Sequence, residues 1–168
     1  VITDHHECKS ELPQAAALVD PHRKDQPQPV TELAGVGVAF KLAAAIEGDQ
    51  EKLLDQYCDF LCLGTVADVM PLTGENRTMV ARGLRALANP KRVGIAALMA
   101  ECAVQKGPVT AGTIGYTLAP RINAAGRMET GRLAVDLLKS TELAEAMAIG
   151  EKINANNNER KNIDKEIT

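Results

Sequence analysis

The first part of the chain contains two short apolar runs of strand length. Residues 1–3 are all β-branched and lead directly into a polar segment. Residues 16–19 form a second run, which ends at Asp20 and a proline. Runs of this kind, bounded by polar residues, predict strands, and the polar, proline-containing stretch 22–29 predicts a surface loop.

Beyond residue 31 the apolar positions recur every three or four residues, which predicts helices. Thr31 is expected to cap the first helix, in which Gly35 and Gly37 are costly unless another group packs closely against the backbone. The apolar face of this helix consists of Leu33, Val36, Phe40 and Ala44. Three further helices are predicted over residues 51–63, 75–87 and 93–104. Thr110 is expected to cap the next helix, which ends near Pro120, and Thr130 is expected to cap one that runs through Leu138. The last helix is predicted from residue 141 onward.

Strands followed by helices, with polar residues at a strand's carboxyl end, predict an α/β fold in which helices flank a parallel sheet. Only part of that sheet is visible, so we expect further strands before Val1. Val1 stands inside a strand pattern and Thr168 closes a helical pattern without a stop signal, which indicates a piece of a longer protein. The last helix becomes mostly polar from Asn154, a pattern typical of a helix that bridges two domains.

The composition and net charge of the chain exclude some classes of protein. Hydrophobic residues make up 45% and charged residues 24% of the 168 positions, the balance of a globular protein, and no segment has the apolar length needed to cross a bilayer. Aromatic residues make up 2%, with no Trp, and the formal net charge is −3. These values argue against an autonomous nucleic-acid binder that uses a basic face or a row of stacking rings. Any nucleic-acid role must depend on a local site, on bound cations or on further domains.

The four cysteines, Cys8, Cys58, Cys62 and Cys102, contain no C-x-x-C pair. Cys58 and Cys62 stand at helical spacing among apolar neighbours. This pattern predicts reduced, buried thiols in a cytosolic protein rather than a disulfide frame or a zinc site. Cys8 lies close to two histidines in the sequence, but a soft thiolate is an unusual ligand for a hard cation.

Asp4, His5 and His6 stand where the first predicted strand ends. In open α/β sheets, ligands bind at the carboxyl ends of the strands. Imidazole together with carboxylate suits a divalent cation such as Mn²⁺. Taken alone, the tripeptide fits a solvated surface turn about equally well.

Asp68 is a single carboxylate in the apolar stretch 63–71, after Gly64, which is expected to loosen the preceding helix. If Asp68 is buried, it requires a metal, a cationic group or backbone donors, because an unpaired buried carboxylate is costly. A helix-cap or turn aspartate is the ordinary alternative, and the sequence around Asp68 leaves both interpretations open.

Residues 121–127, with the sequence RINAAGR, are predicted to form a loop between two helices. Arg121 and Arg127 can bind phosphate through bidentate hydrogen bonds, and Gly126 allows close approach to the backbone. An ordinary helix connection with solvated arginines remains the alternative.

Together these segments resemble the RecJ family of the DHH phosphoesterase superfamily, and the resemblance covers essentially the whole chain. The Asp-His-His triplet is shared across the superfamily, whereas LGTVADVMPL together with RINAAGR is more specific to RecJ-like exonucleases. The matching segments are TDHH at 3–6, ELAGVGVAFKL at 32–42, LGTVADVMPLTGENR at 63–77, LAPRINAAGRM at 118–128 and the polar terminal helix.

The resemblance implies a 5′→3′ exonuclease that hydrolyses single-stranded DNA to 5′-mononucleotides with two Mn²⁺ or Mg²⁺ ions. It implies a role in DNA repair and recombination in the cytoplasm, with replication or repair proteins as further partners and no membrane association. Residues 1–140 would be the C-terminal part of the DHH phosphoesterase domain, and residues 141–168 would begin an interdomain linker helix.

Site roles are also implied by the resemblance. His5 and Asp68 would be metal ligands, His6 would face the scissile phosphate, and Asp4 would join the metal site or orient the histidines. The residues implied to bind substrate are Arg121, Asn123, Gly126 and Arg127.

The family's upstream aspartate motifs, its DHH-associated domain and its oligonucleotide-binding fold have no counterpart in residues 1–168. We therefore expect these residues alone to bind Mn²⁺ poorly and to have little or no nuclease activity. Two alternatives stay open. One is another DHH phosphoesterase, acting on short oligonucleotides, cyclic dinucleotides or pyrophosphate. The other is a non-catalytic scaffold of a replication complex with the same fold.

Overall fold

The computed structural model describes residues 1–25, 32–105, 107–128 and 131–167, without the side chains of residues 127, 128 and 167. The chain forms two compact units, Val1–Gly83 and Leu84–Thr168. The predictions that Thr31 and Thr130 cap helices fall outside the described residues.

Two short parallel strands lie at the start of the first unit. They are β1 (Ile2–Thr3) and β2 (Leu18–Val19). Ile2 pairs with Leu18, and Thr3 pairs with Val19. Because the strands run in the same direction, their carboxyl ends lie at the same edge, and Asp4 and Asp20 follow the two strands there. The predicted α/β class, with a partial parallel sheet and many helices, is confirmed.

Helix α1 (Gly35–Glu47) lies next to β1 and packs on α2 (Gln50–Ala67). It begins two residues after Leu33, later than the apolar pattern predicted, and ends at Gly48, whose φ is +79°. Such a positive φ is accessible to glycine without steric cost, so Gly48 provides the turn into the next helix.

Helix α2 continues past Gly64, although the sequence predicted an end at residue 63 and a loosening effect of this glycine. A Cβ atom at Gly64 would lie 2.6 Å from Cγ1 of Val36. The glycine is therefore required for the close approach of α1 and α2, and the helix remains regular through it because this packing compensates for its low helix propensity.

Helix α3 (Gly74–Leu87) begins and ends within one residue of the prediction. A Cβ atom at Gly83 would lie 2.2 Å from both the backbone oxygen of Cys58 and the Cβ of Cys62, so α3 rests directly on α2 at this point. The amide nitrogen of the buried Asn76 side chain donates to the backbone oxygens of two residues. These acceptors are Glu32, just before α1, and Pro71, just after α2, so Asn76 ties both segments to α3.

All four cysteines are free thiols. Cys58 and Cys62 are buried, and burial raises the pKa of Cys62 to about 12, which keeps this thiol protonated and unreactive at neutral pH. The prediction of reduced, buried thiols is confirmed for this pair.

The first helix that lies wholly in the second unit is α4 (Val93–Glu101), which the sequence predicted to continue to residue 104. It ends earlier because Ala103 adopts a φ of +51°, and the N–H of Val104 donates to the backbone oxygen of Met99 at 2.9 Å. This arrangement is a left-handed helix end of the Schellman type.

The helix capped by Thr110 was predicted to end near Pro120, but it continues beyond that residue. It runs as α5 (Ala111–Thr113), a π-helical segment (Ile114–Leu118) and α6 (Ala119–Met128), without interruption. The Thr110 hydroxyl accepts from the N–H of Thr113 at 3.1 Å, so the predicted cap is confirmed.

Helices α7 (Arg132–Lys139) and α8 (Leu143–Ile167) complete the second unit, and α8 packs on α4, α6 and α7. Ala146 and Ile153 on α8 are fully buried, whereas residues 158–166 are almost all exposed. The predicted change from an apolar first part to a polar second part of this helix therefore matches the burial of its residues. In the part of the chain that the structure describes, no helix is both long and apolar enough to cross a membrane.

Candidate metal centre

The Asp4 carboxylate organises the segment that follows β1. Asp4 continues the strand pairing, since its N–H donates to the backbone oxygen of Val19 at 3.0 Å. Its Oδ1 atom accepts the backbone N–H groups of His5 and His6 at 2.7 and 3.3 Å, and it lies 2.7 Å from Nδ1 of His6. A short aspartate that accepts from the next two residues forms a tight turn, so both histidine side chains are presented at the strand's end.

The contact between Asp4 and His6 also sets their ionisation. The hydrogen bond with His6, assisted by the backbone N–H groups, lowers the pKa of Asp4 to about 2. The same hydrogen bond raises the pKa of His6 above its ordinary value. Asp4 is therefore an anion at physiological pH, and when Nδ1 of His6 donates to it, Nε2 is the nitrogen available to a ligand.

Asp68 is brought to the same place by the end of α2. Its backbone caps the helix, with its N–H donating to the backbone oxygen of Gly64 at 3.0 Å, and its Oδ2 lies 3.3 Å from Nε2 of His5. Of the two interpretations left open by the sequence, the structure shows the helix-cap aspartate: the Asp68 side chain is 45% exposed, so no buried charge requires a partner here. Its position next to His5 is a matter of geometry rather than of desolvation.

Close contacts between α1, α2 and β1 fix this geometry. A Cβ at Gly35, the first residue of α1, would lie 3.5 Å from the ring of His5, so the start of α1 rests on the imidazole. One turn before Asp68, Gly64 lets α2 approach Val36 of α1. Gly64 therefore allows the α1–α2 distance that brings Asp68 to His5, while the start of α1 lies beside the His5 ring at ordinary contact distance.

The residue after Asp68 is in a strained conformation. Val69 has a φ of +56° and is 86% exposed, and the N–H of Met70 donates to the backbone oxygen of Thr65 at 3.1 Å. This bond and the positive φ are those of a Schellman helix end. Glycine is the usual left-handed residue in that motif, and a β-branched side chain there is an outlier.

We expect Val69→Gly to raise the free energy of unfolding by about 1 kcal/mol, because it removes left-handed strain and sacrifices almost no packing. Urea denaturation measures this change. Val69→Ala, which keeps a Cβ atom, is the matched control and should give less than half of the gain. A glycine variant less stable than the parent would contradict the strain assignment.

The side chains at this edge have the chemistry of a divalent-cation site. One potential ligand atom from each of Asp4, His5 and His6 lies within 4.8 Å of the others, and Asp68 adds a second carboxylate beside His5. Two imidazoles and two carboxylates suit Mn²⁺ or Mg²⁺ better than a thiophilic metal. The carboxyl end of α2 carries a partial negative charge, which further favours a cation near Asp68. The residues present therefore fit the metal.

The RINAAGR segment lies in the second unit and is helical, not a loop. The guanidinium of Arg121 is half-buried: Nε donates to Oδ1 of Asn154 at 2.8 Å, and Nη1 donates to the backbone oxygen of Thr117 at 2.7 Å. Asn123 and Gly126 are exposed. The side chain of Arg127 lies outside the described residues. Arg121 thus links α6 to α8, a role that the loop prediction did not anticipate.

The sequence interpretation missed Asp20, which is buried at the end of β2. Its Oδ1 accepts the N–H of His22 at 2.8 Å, and its Oδ2 lies 3.4 Å from Sγ of Cys8. The signal was available, because an Asp that directly follows a parallel strand satisfies the same positional argument that singled out Asp4.

Comparison with known proteins agrees with this geometry. Residues 1–65 match the family described as "DHH family, N-terminal domain". The single-stranded-DNA-specific exonuclease RecJ of Bacillus subtilis is 41% identical over 168 residues, which are 100% of this chain and 21% of that protein. The chain therefore spans about a fifth of the length of this relative.

Two solved structures share the fold. A crystal structure of exonuclease RecJ bound to manganese matches with a TM-score of 0.81 and 31% identity, over 98% of this chain and 42% of that one. RecJ from Thermus thermophilus in complex with Mn²⁺ matches with a TM-score of 0.79 and 32% identity, over 98% of this chain and 24% of that one. Residues 1–65 thus match the DHH family, and the chain along its whole length is similar to part of the RecJ exonucleases.

Proposed function

We propose that the protein hydrolyses single-stranded DNA from its 5′ end to 5′-mononucleotides with the help of two divalent cations, in DNA repair and recombination. The observation that carries this proposal is the 3.3 Å approach of His5 and Asp68, beside the Asp4–His6 pair. These residues are distant in sequence, and a purely structural role would not require two carboxylates and two imidazoles at one partly exposed edge. The similarity, along the whole of this chain, to proteins named as single-stranded-DNA-specific exonucleases supports the choice of substrate.

In this proposal His5 and Asp68 hold a Mn²⁺ or Mg²⁺ ion. Bound divalent cations supply a hydroxide nucleophile at neutral pH and stabilise negative charge on the phosphate. Asp4 orients the histidines: its Oδ1 atom fixes the backbone of both and the ring of His6. With Nδ1 committed to Asp4, His6 presents Nε2 to the scissile phosphate, and its exposed ring leaves room for that contact.

Residues of α6 contact the substrate in this proposal. Asn123 and Gly126 are exposed on the helix, so an amide and an open stretch of backbone are accessible to a DNA strand. Arg127 is assigned to a phosphate. Arg121 contributes differently from its expected role: its bonds to Thr117 and Asn154 fix the orientation of its guanidinium group and of α6 itself.

The proposal extends to organisation and location. Residues 1–140 belong to the DHH phosphoesterase domain, and α8, whose residues 158–166 are almost all exposed, continues as a helix between domains. The free thiols support a cytoplasmic location. Replication or repair proteins are proposed as further partners.

The test uses the intact protein and single-stranded DNA labelled at either end. We expect Mn²⁺-dependent release of mononucleotides from the 5′ end, loss of release on chelation, and recovery when Mn²⁺ is added back. Double-stranded DNA of the same sequence is the control and should be resistant. Hydrolysis of dinucleotides or cyclic dinucleotides without digestion of the long strand would assign the protein to another branch of DHH phosphoesterases. Absence of any hydrolysis would favour a scaffold.

A further inference from the structure

The segment that carries the two histidines is attached to β2 at both of its ends. At its start, the N–H of Asp4 donates to the backbone oxygen of Val19. At its other end, Sγ of Cys8 lies 3.4 Å from Oδ2 of Asp20. Between these two points the segment has no regular secondary structure.

This segment borders an open space rather than a dense core. A cavity of about 230 Å³ lies at the strand ends, with Asp4, His6, Cys8 and Asp20 among its lining residues. Tight packing is what usually restricts a side chain to one conformation, so a segment beside a cavity depends more on its hydrogen bonds.

Asp20 is well suited to hold the end of the segment at Cys8. It is buried, whereas Asp4 at the matching position of the neighbouring strand is only partly buried. The N–H of His22 donates to its Oδ1 at 2.8 Å, which fixes the carboxylate and directs Oδ2 toward Cys8. A buried carboxylate held by the backbone is a rigid acceptor, and it compensates for the weakness of a thiol as a donor.

We propose that Asp20 is a positioning residue that acts through Cys8 to hold His5 and His6 in the conformation that binds the metal. The inference rests on the proposed function only in that it requires a divalent cation at this edge. Asp20 is not a ligand in this proposal. Its contact with Cys8, two residues beyond His6, restricts the segment from the side that β1 does not reach.

Mn²⁺ binding by the intact protein, measured by titration calorimetry, tests the proposal without reliance on hydrolysis. We expect Asp20→Asn, which keeps the size of the side chain and an acceptor for His22, to weaken Mn²⁺ binding by about 10- to 100-fold. In the hydrolysis assay, saturating Mn²⁺ should restore kcat to within a few-fold of the parent, and KM for DNA should not change. A merely structural defect would instead lower the folded fraction and leave the affinity of the folded fraction unchanged.

Substitutions of Cys8 provide the second arm. Cys8→Ala should weaken Mn²⁺ binding and should add nothing in the Asp20→Asn background, because both changes break one contact. Cys8→Ser, which retains a donor, should bind Mn²⁺ as the parent does. Asp25→Asn is the charge-matched control, since Asp25 is exposed and pairs with Arg23.

The outcomes separate this inference from the proposed function. Parent-like Mn²⁺ affinity in both Asp20→Asn and Cys8→Ala overturns the positioning role, even if the protein is an exonuclease. If Asp20→Asn does not fold, the comparison of Cys8→Ala with Cys8→Ser decides, and equal affinities of these two overturn the role. A parent that binds Mn²⁺ but digests no single-stranded DNA refutes the function and leaves the positioning test intact.

Discussion

Asp68→Asn is expected to lower the rate of single-stranded DNA hydrolysis by the intact protein by about 1,000-fold or more. A metal-held charge supplies several kcal/mol of transition-state stabilisation, and each 1.36 kcal/mol is a factor of ten. The substitution removes the anionic oxygen that lies 3.3 Å from His5 and keeps the side chain's size. Steady-state kinetics at fixed Mn²⁺ concentration measures the loss.

The fold should not change in this variant. Asp68 caps α2 through its backbone N–H, which the substitution leaves in place, and its side chain is half-exposed. Asp55→Asn, the same change at an exposed position of the same helix, is the control and should retain activity within about two-fold, since exposed ion pairs contribute little. An Asp68→Asn variant with activity within ten-fold of the parent would remove Asp68 from the site.

His5→Ala should cause a loss of similar size, and the double variant should be no worse than the poorer single variant. Two ligands of one ion act as a unit, so their effects are not additive. Effects that multiply in the double variant would indicate that His5 and Asp68 serve separate steps.

The strand ends and the Asp4–His6 segment could be predicted because their signals are local. β-branched residues followed by polar ones define a strand exit, and the parallel pair puts the exits of both strands at one edge. The approach of Asp68 to His5 could not be predicted from local patterns. It depends on how closely α1 and α2 approach, and hence on the contact of Gly64 with Val36, which no periodicity reveals. The sequence also left open whether Asp68 is buried or caps a helix, because an apolar neighbourhood in sequence does not determine which way a helix-terminal side chain points.

The prediction that RINAAGR forms a loop was wrong because a π-helical turn precedes Pro120. Proline removes a backbone donor and its ring clashes with the preceding turn, so Pro120 was expected to end the helix. In the structure, the N–H of Ala119 donates to the backbone oxygen of Ile114, five residues earlier. This π-helical turn accommodates the proline ring, and α6 continues without a break. Arg121 then lies on a helix face next to α8, where its partner Asn154 comes from a distant part of the sequence.

The largest effect on stability is expected from Gly94→Ala in the second unit. A Cβ atom at Gly94 would lie 1.8 Å from the backbone oxygen of Leu137 and 2.7 Å from its carbonyl carbon. These are backbone atoms of α7, which cannot move aside as a flexible side chain can. The helices α4 and α7 would have to separate, so we expect a loss of about 3 kcal/mol or more in the free energy of unfolding.

Gly112→Ala is the matched control for this substitution. A Cβ at Gly112 would meet its nearest neighbours at 3.5 Å or more, which is ordinary contact, and alanine has the higher helix propensity. We therefore expect Gly112→Ala to leave stability unchanged or to raise it by up to about 1 kcal/mol. Urea denaturation of both variants, followed by circular dichroism, measures the difference. A Gly94→Ala variant as stable as the Gly112→Ala variant would show that α4 and α7 are not in backbone contact.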